Sequence, residues 1–361
     1  MKESAQYKIV HLVWGYKTGG IETMLLDITR FQVEASHSVT LIVVNDIINE
    51  ELLSHVDSRV QVICLRRRPA SRNPLPILRL NHILLKVAPD VIHCHDAGLI
   101  SILLWRLRKK CVLTMHCLPD LVERLDKRLP HFKTVYAISS SVQKALRRDY
   151  MIDAPLIING IHTEKFALRP YSRPDMEQSP MRMVTVGRLL LEQKGQDILI
   201  EALSLLGDLN LHLTIYGDGP DREKIVSLIR EAGQEERILL AGNLEHEEMF
   251  EHLKDFDAFI MASRKEGFGL TVIEAMAAML PVVASNSEGP FELTVGGTYG
   301  HLFERCSASS CAAAIRNLCS HYDSEEKLAN ARRYVQDHFD VRETAERYLA
   351  AYARFINPME E

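Results

Sequence analysis

Residues 263–281 read Ser263-Arg-Lys-Glu-Gly-Phe-Gly-Leu-Thr-Val-Ile-Glu-Ala-Met-Ala-Ala-Met-Leu-Pro281. The run before them, Phe256-Asp-Ala-Phe-Ile-Met-Ala262, is apolar and of strand length. From Leu270 to Leu280 the chain is rich in Ala, Leu, Met and Glu, all good helix formers. Pro281 ends that helix, and Val282-Val-Ala-Ser285 opens another strand. A strand therefore feeds a glycine-rich loop that opens directly into a helix. Gly267 and Gly269 let a backbone approach a ligand closely, and the first helical amides lack a partner inside the helix. Such a place suits an anion, phosphate best of all.

Two carboxylates frame the loop: Glu266 before the glycines and Glu274 about one turn into the helix. A carboxylate repels phosphate, so each is better placed to accept hydrogen bonds from hydroxyls flanking the phosphates. A nucleotide-sugar has hydroxyls on both sides of its pyrophosphate, on the ribose and on the sugar. The competing reading from spacing is structural, with Glu274 charging the first helical turn and Glu266 solvated.

The rest of the chain supplies the context. A length of 361 residues suits two domains. Hydrophobic content of 47% and charged content of 25% are ordinary for a soluble globular protein. No apolar run approaches the roughly 20 residues that span a bilayer. The start, Met1 to Lys8, leads straight into a strand and does not read as a signal peptide. Seven cysteines without a Cys-x-x-Cys point to reduced thiols and a cytoplasmic location. The net charge of −5 hides an asymmetry. Met1–Ala167 holds 23 Lys and Arg against 16 Asp and Glu, a balance of +7, and the remainder carries −12. The two halves are different surfaces and read as different domains. No nucleic-acid partner is expected.

The first half alternates strands and helices. Strands are expected at Tyr7–Trp14, Val39–Val44, Val60–Leu65, Asp90–His95, Cys111–His116, Thr134–Ser139 and Leu156–Ile158. Helices are expected at Ile21–Val33, Leu75–Val87 and Ile100–Arg108, with a further apolar helical stretch from Leu118 to Leu129. Ala167–Ser179 has two prolines and no periodicity, and reads as a linker. The pattern then restarts, with strands at Met181–Val186, Leu211–Tyr216, Ile238–Leu240 and Phe256–Met261 and helices at Gln196–Leu206 and Asp221–Ala232. Val341–Phe355 is a closing helix. The expected class is α/β, with two Rossmann-like doubly wound domains. The boundaries are 1–167, a linker 168–180, 181–339, and a terminal helix in 340–361.

In such sheets ligands bind beyond the carboxyl ends of the strands. Gly19 and Gly20 follow the first strand, His93 and His95 end another, and His116 ends a third. Three strand-end histidines invite a metal, but no carboxylate or thiolate set completes a site, and none is expected. Arg188 and Lys194 lie in the loop Gly187–Gly195 and offer a donor fork and a point charge for phosphate; on their own they read equally as surface charges. Gly217-Asp-Gly219 alone is a turn signal.

Taken in order, these pieces resemble a known family. Glu266 and Glu274 around Gly-Phe-Gly resemble the Glu-x7-Glu motif of retaining GT-B glycosyltransferases, family GT4. Gly19-Gly20-Ile21-Glu22, Pro89–His95, Thr114-Met-His116, Ile158–His162, Gly187-Arg188, Lys194-Gly195 and Gly217–Gly219 are similar to segments of that family. The resemblance implies two domains across a cleft, with the last helix crossing back to the first domain. It implies transfer of a sugar, with retention, from a nucleotide-sugar to a hydroxyl of a glycan or lipid-linked acceptor, as in cell-surface polysaccharide synthesis. A UDP-sugar is the favoured donor. Arg188 and Lys194 would bind the diphosphate, Glu266 the transferred sugar and Glu274 the ribose. His116 would lie beside the donor sugar, and Gly19, Gly20 and Gly187 near its diphosphate. Gly217, Gly267, Phe268, Gly269 and Leu270 would give backbone contact, and Asn243 and Leu244 would meet the base. No cofactor and no metal are implied. The alternative is a non-catalytic sugar-nucleotide-binding subunit. A glycogen-type phosphorylase would need a pyridoxal lysine and a longer chain. A dehydrogenase would need a Gly-x-Gly-x-x-Gly after a strand, and none is present. Finally, basic clusters at Arg66–Arg68, Arg72, Arg79, Arg106–Lys110 and Lys127–Arg128 suggest that the first domain rests peripherally on an anionic membrane surface.

Overall fold

The computed structural model describes residues 6–357. Residues 1–5, which carry most of the expectation about the amino terminus, and residues 358–361 of the terminal segment lie outside the described residues. The chain divides into two units: Met1–Gly160 with Val341–Glu361, and Ile161–Asp340.

The first unit is built on a parallel sheet of β1 (Lys8–Val13), β2 (Ser38–Asn45), β3 (Gln61–Arg67), β4 (Val91–Cys94), β5 (Cys111–Met115) and β6 (Thr134–Ala137). Its order is β3-β2-β1-β4-β5-β6. Residues of β4 and β5 are all buried, as in a sheet covered on both faces. The order reverses between β1 and β4, which opens a crevice for loops at that point. The Val341–Ile356 helix packs on this unit. Its Tyr348 and Tyr352 are buried with Ile9, Met24, Ile28, Val91 and Val112, and Thr344 Oγ1 donates to the Ile158 carbonyl at 2.8 Å.

Three local expectations differ from the structure. Ile100–Arg108 is not one helix: a 3-10 segment Ala97–Ile102 stops, and a single turn Trp105–Arg108 follows. The reason is Asn81, whose amide donates to Ile102 O at 2.9 Å and accepts from Leu104 N at 2.8 Å, replacing helical partners. The stretch Leu118–Leu129 is broken into Pro119–Leu121 and Leu125–Arg128, with left-handed Arg124 between them at φ 52°. Leu156 makes only an isolated bridge to Ala137, beside Pro155, which has no N–H to extend the ladder.

The second unit repeats the plan with β7 (Met181–Val186), β8 (Leu211–Tyr216), β9 (Ile238–Gly242), β10 (Ala258–Met261), β11 (Val282–Ser285) and β12 (His301–Phe303). Its order is β12-β11-β10-β7-β8-β9, with the reversal between β7 and β10. Residues read as linker are anchored to this unit. Arg169 is buried and donates to Asp257 Oδ1 at 2.8 Å, and Arg182 reaches the same carboxylate at 3.2 Å. Burial pushes the Asp257 carboxyl up, but the hydrogen bonds from Arg182 and Arg169 outweigh it and hold the group below its ordinary range. Among the described residues, no helix is long and apolar enough to cross a membrane.

Candidate active site

In the second unit the loops after β7 and β10 leave from the point where the sheet order reverses. Three anchors fix them. Gly217, at φ 137°, packs so close that a Cβ there would sit 2.0 Å from the Gly187 carbonyl oxygen. Arg264 N donates to Gln193 O at 2.8 Å, and the Arg264 guanidinium grips Asp197 at 2.7 and 2.6 Å. On the other side Gly289 N donates to Glu266 O at 3.0 Å, and a Cβ at 289 would lie 1.9 Å from Phe268 O. The segment Glu266–Phe268 is thus held from both flanks.

That clamping brings Lys194 and Glu266 together. Lys194 Nζ donates to Glu266 Oε2 at 2.6 Å, and Ser263 Oγ donates to the same oxygen at 3.2 Å. Gly269, at φ 102°, then starts the Leu270–Ala277 helix. Gly267 and Phe268 are buried beneath it, and Leu270 is half-buried. Arg188 is exposed, and its guanidinium forms no ion pair among the described residues; its carbonyl accepts from Gln196 Nε2 at 2.9 Å. Asn243 is exposed and Leu244 buried just beyond β9, beside the Gly217 loop, where Gly217 N donates to Gly242 O at 2.6 Å.

Glu274 is the anomaly of this site. It is 4% exposed, and its Oε2 is buried with no hydrogen-bond partner among the described residues. Burial pushes its carboxyl up from 4.5 to about 7. An unsatisfied buried acceptor costs stability unless something supplies donors. Because the folded pKa lies above the unfolded one, the penalty is absent below pH 4.5, grows through the window up to about 7, and is complete above it. Glu274→Gln removes the charge, and at pH 8 the ligand-free variant is expected to be more stable by up to about 3 kcal/mol. Thermal melts from pH 4 to 8 check this. A variant no more stable than wild type at pH 8 would mean the carboxylate is already satisfied.

In the first unit, Gly19 and Gly20 follow β1. Gly19 caps the Gly20–Glu34 helix, with Thr23 N donating to Gly19 O at 3.0 Å. Burial raises the carboxyl of Glu22 in the first turn. His116 follows β5 and is partly buried. Its Nε2 contacts His95 Nδ1 at 3.0 Å, His95 Nε2 contacts His11 Nδ1 at 3.0 Å, and His11 Nε2 contacts Gln32 Oε1 at 2.8 Å. His93 is tied separately to the Tyr352 hydroxyl at 2.5 Å and to Thr114 Oγ1 at 2.7 Å. Nitrogens of His11, His93 and His95 lie within 4.8 Å of one another, close enough for a metal. Yet both ring nitrogens of each already have protein partners, so the geometry is that of a hydrogen-bonded chain. His11 and Gln32 are not identifiable from motif spacing. The only signal is a histidine in the apolar strand Lys8–Val13, a polar residue where both faces are covered.

Comparison with known proteins agrees with this architecture. Residues 174–335 match the family model for glycosyl transferases group 1, and residues 18–165 match that for glycosyltransferase family 4. The chain is 26% identical over 287 residues to the lipopolysaccharide core biosynthesis glycosyltransferase LpsD of Rhizobium meliloti, covering 77% of this chain and 79% of that protein. It is 30% identical over 208 residues to glycogen synthase of Mycobacterium tuberculosis, covering 56% of this chain and about half, 49%, of that protein. A glycosyltransferase from Rickettsia africae superposes with a TM-score of 0.80 at 21% identity, covering 98% of this chain and all of that one. Anabaena HepE in complex with UDP and glucose also gives 0.80, at 20% identity, covering 96% of this chain and 100% of that one. Two parallel doubly wound sheets, each matched by its own glycosyltransferase family model, make the chain a GT-B glycosyltransferase of the family 4 type.

Proposed function

We propose that this protein transfers a sugar, with retention, from a UDP-sugar to a hydroxyl of a glycan or lipid-linked acceptor in cell-surface polysaccharide synthesis. The observation that carries the donor reading is Glu274, a buried and unpartnered carboxylate in the helix behind the glycine loop, in the same unit as the Lys194–Glu266 pair. Ribose hydroxyls supply the donors that Glu274 lacks. Lys194, Arg188 and the helix amides receive the diphosphate and stabilise the charge that grows on it as the glycosyl bond breaks. Glu266 accepts from hydroxyls of the transferred sugar. The acceptor hydroxyl attacks the anomeric carbon on the face from which the diphosphate leaves, and its proton passes to the departing phosphate oxygen. Similarity to LpsD supports a lipopolysaccharide-type acceptor, and the UDP-bound HepE structure supports the uridine donor. Thermal shift against a panel of nucleotide-sugars, followed by a hydrolysis assay, tests the reading. A ligand at 100 times its dissociation constant adds about 2.7 kcal/mol. Stabilisation without hydrolysis or transfer would favour a sugar-nucleotide-binding subunit.

Two cations and a helix terminus neutralise the diphosphate without a divalent ion. Lys194→Ala and Arg188→Ala are each expected to weaken UDP binding by about tenfold or more, the worth of a charged hydrogen bond. EDTA is expected to leave wild-type turnover unchanged. A strict magnesium requirement would refute this account of charge neutralisation.

The acceptor side is proposed to rest on the cytoplasmic face of an anionic membrane. In the first unit the Leu75–Val87 helix exposes Leu75 at 65% and Leu78 at 61%, and Trp105 is exposed at 67%. Asn81 ties the two segments together. Arg72, Arg79, Lys86, Arg106 and Lys109, in or beside the same segments, are exposed. Each basic residue near such a surface contributes about 1 kcal/mol, screened by salt. Sedimentation is expected with phosphatidylserine-containing vesicles at low salt, and not with neutral ones. Trp105→Ala with Leu78→Ala should reduce it severalfold. No pelleting with either vesicle would point to a soluble acceptor.

A further inference from the structure

We propose that Gln32, His11 and His95 act as positioning residues that fix His116 as its Nε2–H tautomer, so that Nδ1 offers a lone pair to a ligand hydroxyl. The proposal rests on the function proposed above for the identity of that ligand, whereas the hydrogen-bonded chain is described by the structure alone.

A neutral imidazole carries one N–H and one bare nitrogen. Gln32 Oε1 only accepts, so the His11 Nε2 at 2.8 Å is the donor and His11 Nδ1 is bare. His95 must then donate from Nε2 to His11 Nδ1, leaving its own Nδ1 bare. His116 must donate from Nε2 to that nitrogen. The far end is His116 Nδ1, which is buried and has no hydrogen-bond partner among the described residues. One amide oxygen thus dictates the proton arrangement three rings away. Gln32 also lies against the Tyr352 hydroxyl, although its amide nitrogen has no hydrogen bond of good geometry. That hydroxyl contacts His93 Nδ1, which favours the amide oxygen facing His11.

The rings are neutral. Burial lowers His11 to about 4 and His116 to about 3, and burial with the neighbouring histidines lowers His95 well below its ordinary value. A neutral ring with a bare Nδ1 attracts a hydroxyl and repels phosphate or carboxylate oxygens. The chain therefore assigns His116 to a ligand O–H. A partly satisfied buried polar chain is costly, and one that ends in an open acceptor is completed by a donor from outside.

The direct measurement is long-range 15N–1H correlation on the full-length protein labelled at histidine, at pH 7.5, with signals assigned by loss in His116→Gln and His95→Gln. We expect protonated Nε2 and bare Nδ1 on His11, His95 and His116. In Gln32→Leu the His116 signals should become a mixture of tautomers although residue 32 does not touch residue 116, and Gln32→Glu should restore one tautomer. In the same variants KM for UDP-glucose should rise about tenfold with Leu and recover with Glu, with the Kd for UDP little changed. A wild-type His116 protonated at Nδ1, or a His116 spectrum identical in Gln32→Leu, would overturn the relay. UDP-glucose that fails to bind wild type counts against the donor reading, whereas a wrong His116 tautomer counts against the relay.

Discussion

Glu266→Gln is expected to reduce sugar transfer by about 10²-fold or more, the usual cost of losing a preorganised contact to the transition state. The substitution keeps the side-chain shape and removes its charge. In the ligand-free site Glu266 holds Lys194 at 2.6 Å. Losing the carboxylate frees that ammonium for the diphosphate, so UDP affinity should stay level or tighten slightly while turnover falls. Titration calorimetry with UDP and steady-state kcat on the same preparation read the two effects apart. Transfer near the wild-type rate would remove Glu266 from the reaction, and a parallel loss of UDP binding would mean the carboxylate is needed to hold the loop in place.

Mild acid is expected to unfold the first unit. His11, His93 and His95 are buried, with exposures of 0%, 0% and 6%. Burial lowers His11 to about 4 and carries His93 and His95 well below the ordinary histidine value of 6.5. Below pH 6.5 the unfolded chain takes up protons that the folded chain refuses, so stability is complete above that pH and falls as pH drops towards the folded values. Each group contributes about 1.4 kcal/mol per pH unit in that window, and three together about 4. Against a typical total of about 5–15 kcal/mol, melting should fall steeply between pH 6 and 4.5. His11→Gln should flatten the slope by about a third. A melting temperature constant from pH 7 to 5 would show that the imidazoles gain their protons inside the folded protein.

How far the sequence reveals this molecule varies by residue. The β10–loop–helix unit is legible because its punctuation is local: an apolar strand, two glycines, helix formers and a proline. Lys194 and Glu266 can each be picked out, but their contact spans a separation of 72 residues and depends on β7 and β10 being neighbours. The burial of Glu274 has a signal, since Leu270–Ala277 is apolar except for Thr271 in its first turn and that glutamate. Boundaries fail where side chains intervene, as where Asn81 supplies the partners that would have carried Ile100–Arg108 on as one helix. Ala167–Ser179 reads as a free linker because nothing local shows that Arg169 will meet Asp257. His11 and Gln32 carry no motif at all, and only the assembled sheet and helix bring them into line.

The return of the Val341–Ile356 helix to the first unit has a consequence for how the chain is made. The amino-terminal sheet leaves the ribosome well before the helix that supplies Tyr348 and Tyr352 to its core. Until then His93 lacks the hydroxyl that holds its Nδ1, and the apolar ground of Ile9, Val91 and Val112 lacks part of its cover. During synthesis the second unit is therefore the first that can close on its own residues. A nascent chain released at Asp340 should carry a folded second unit joined to an incomplete, protease-sensitive first unit.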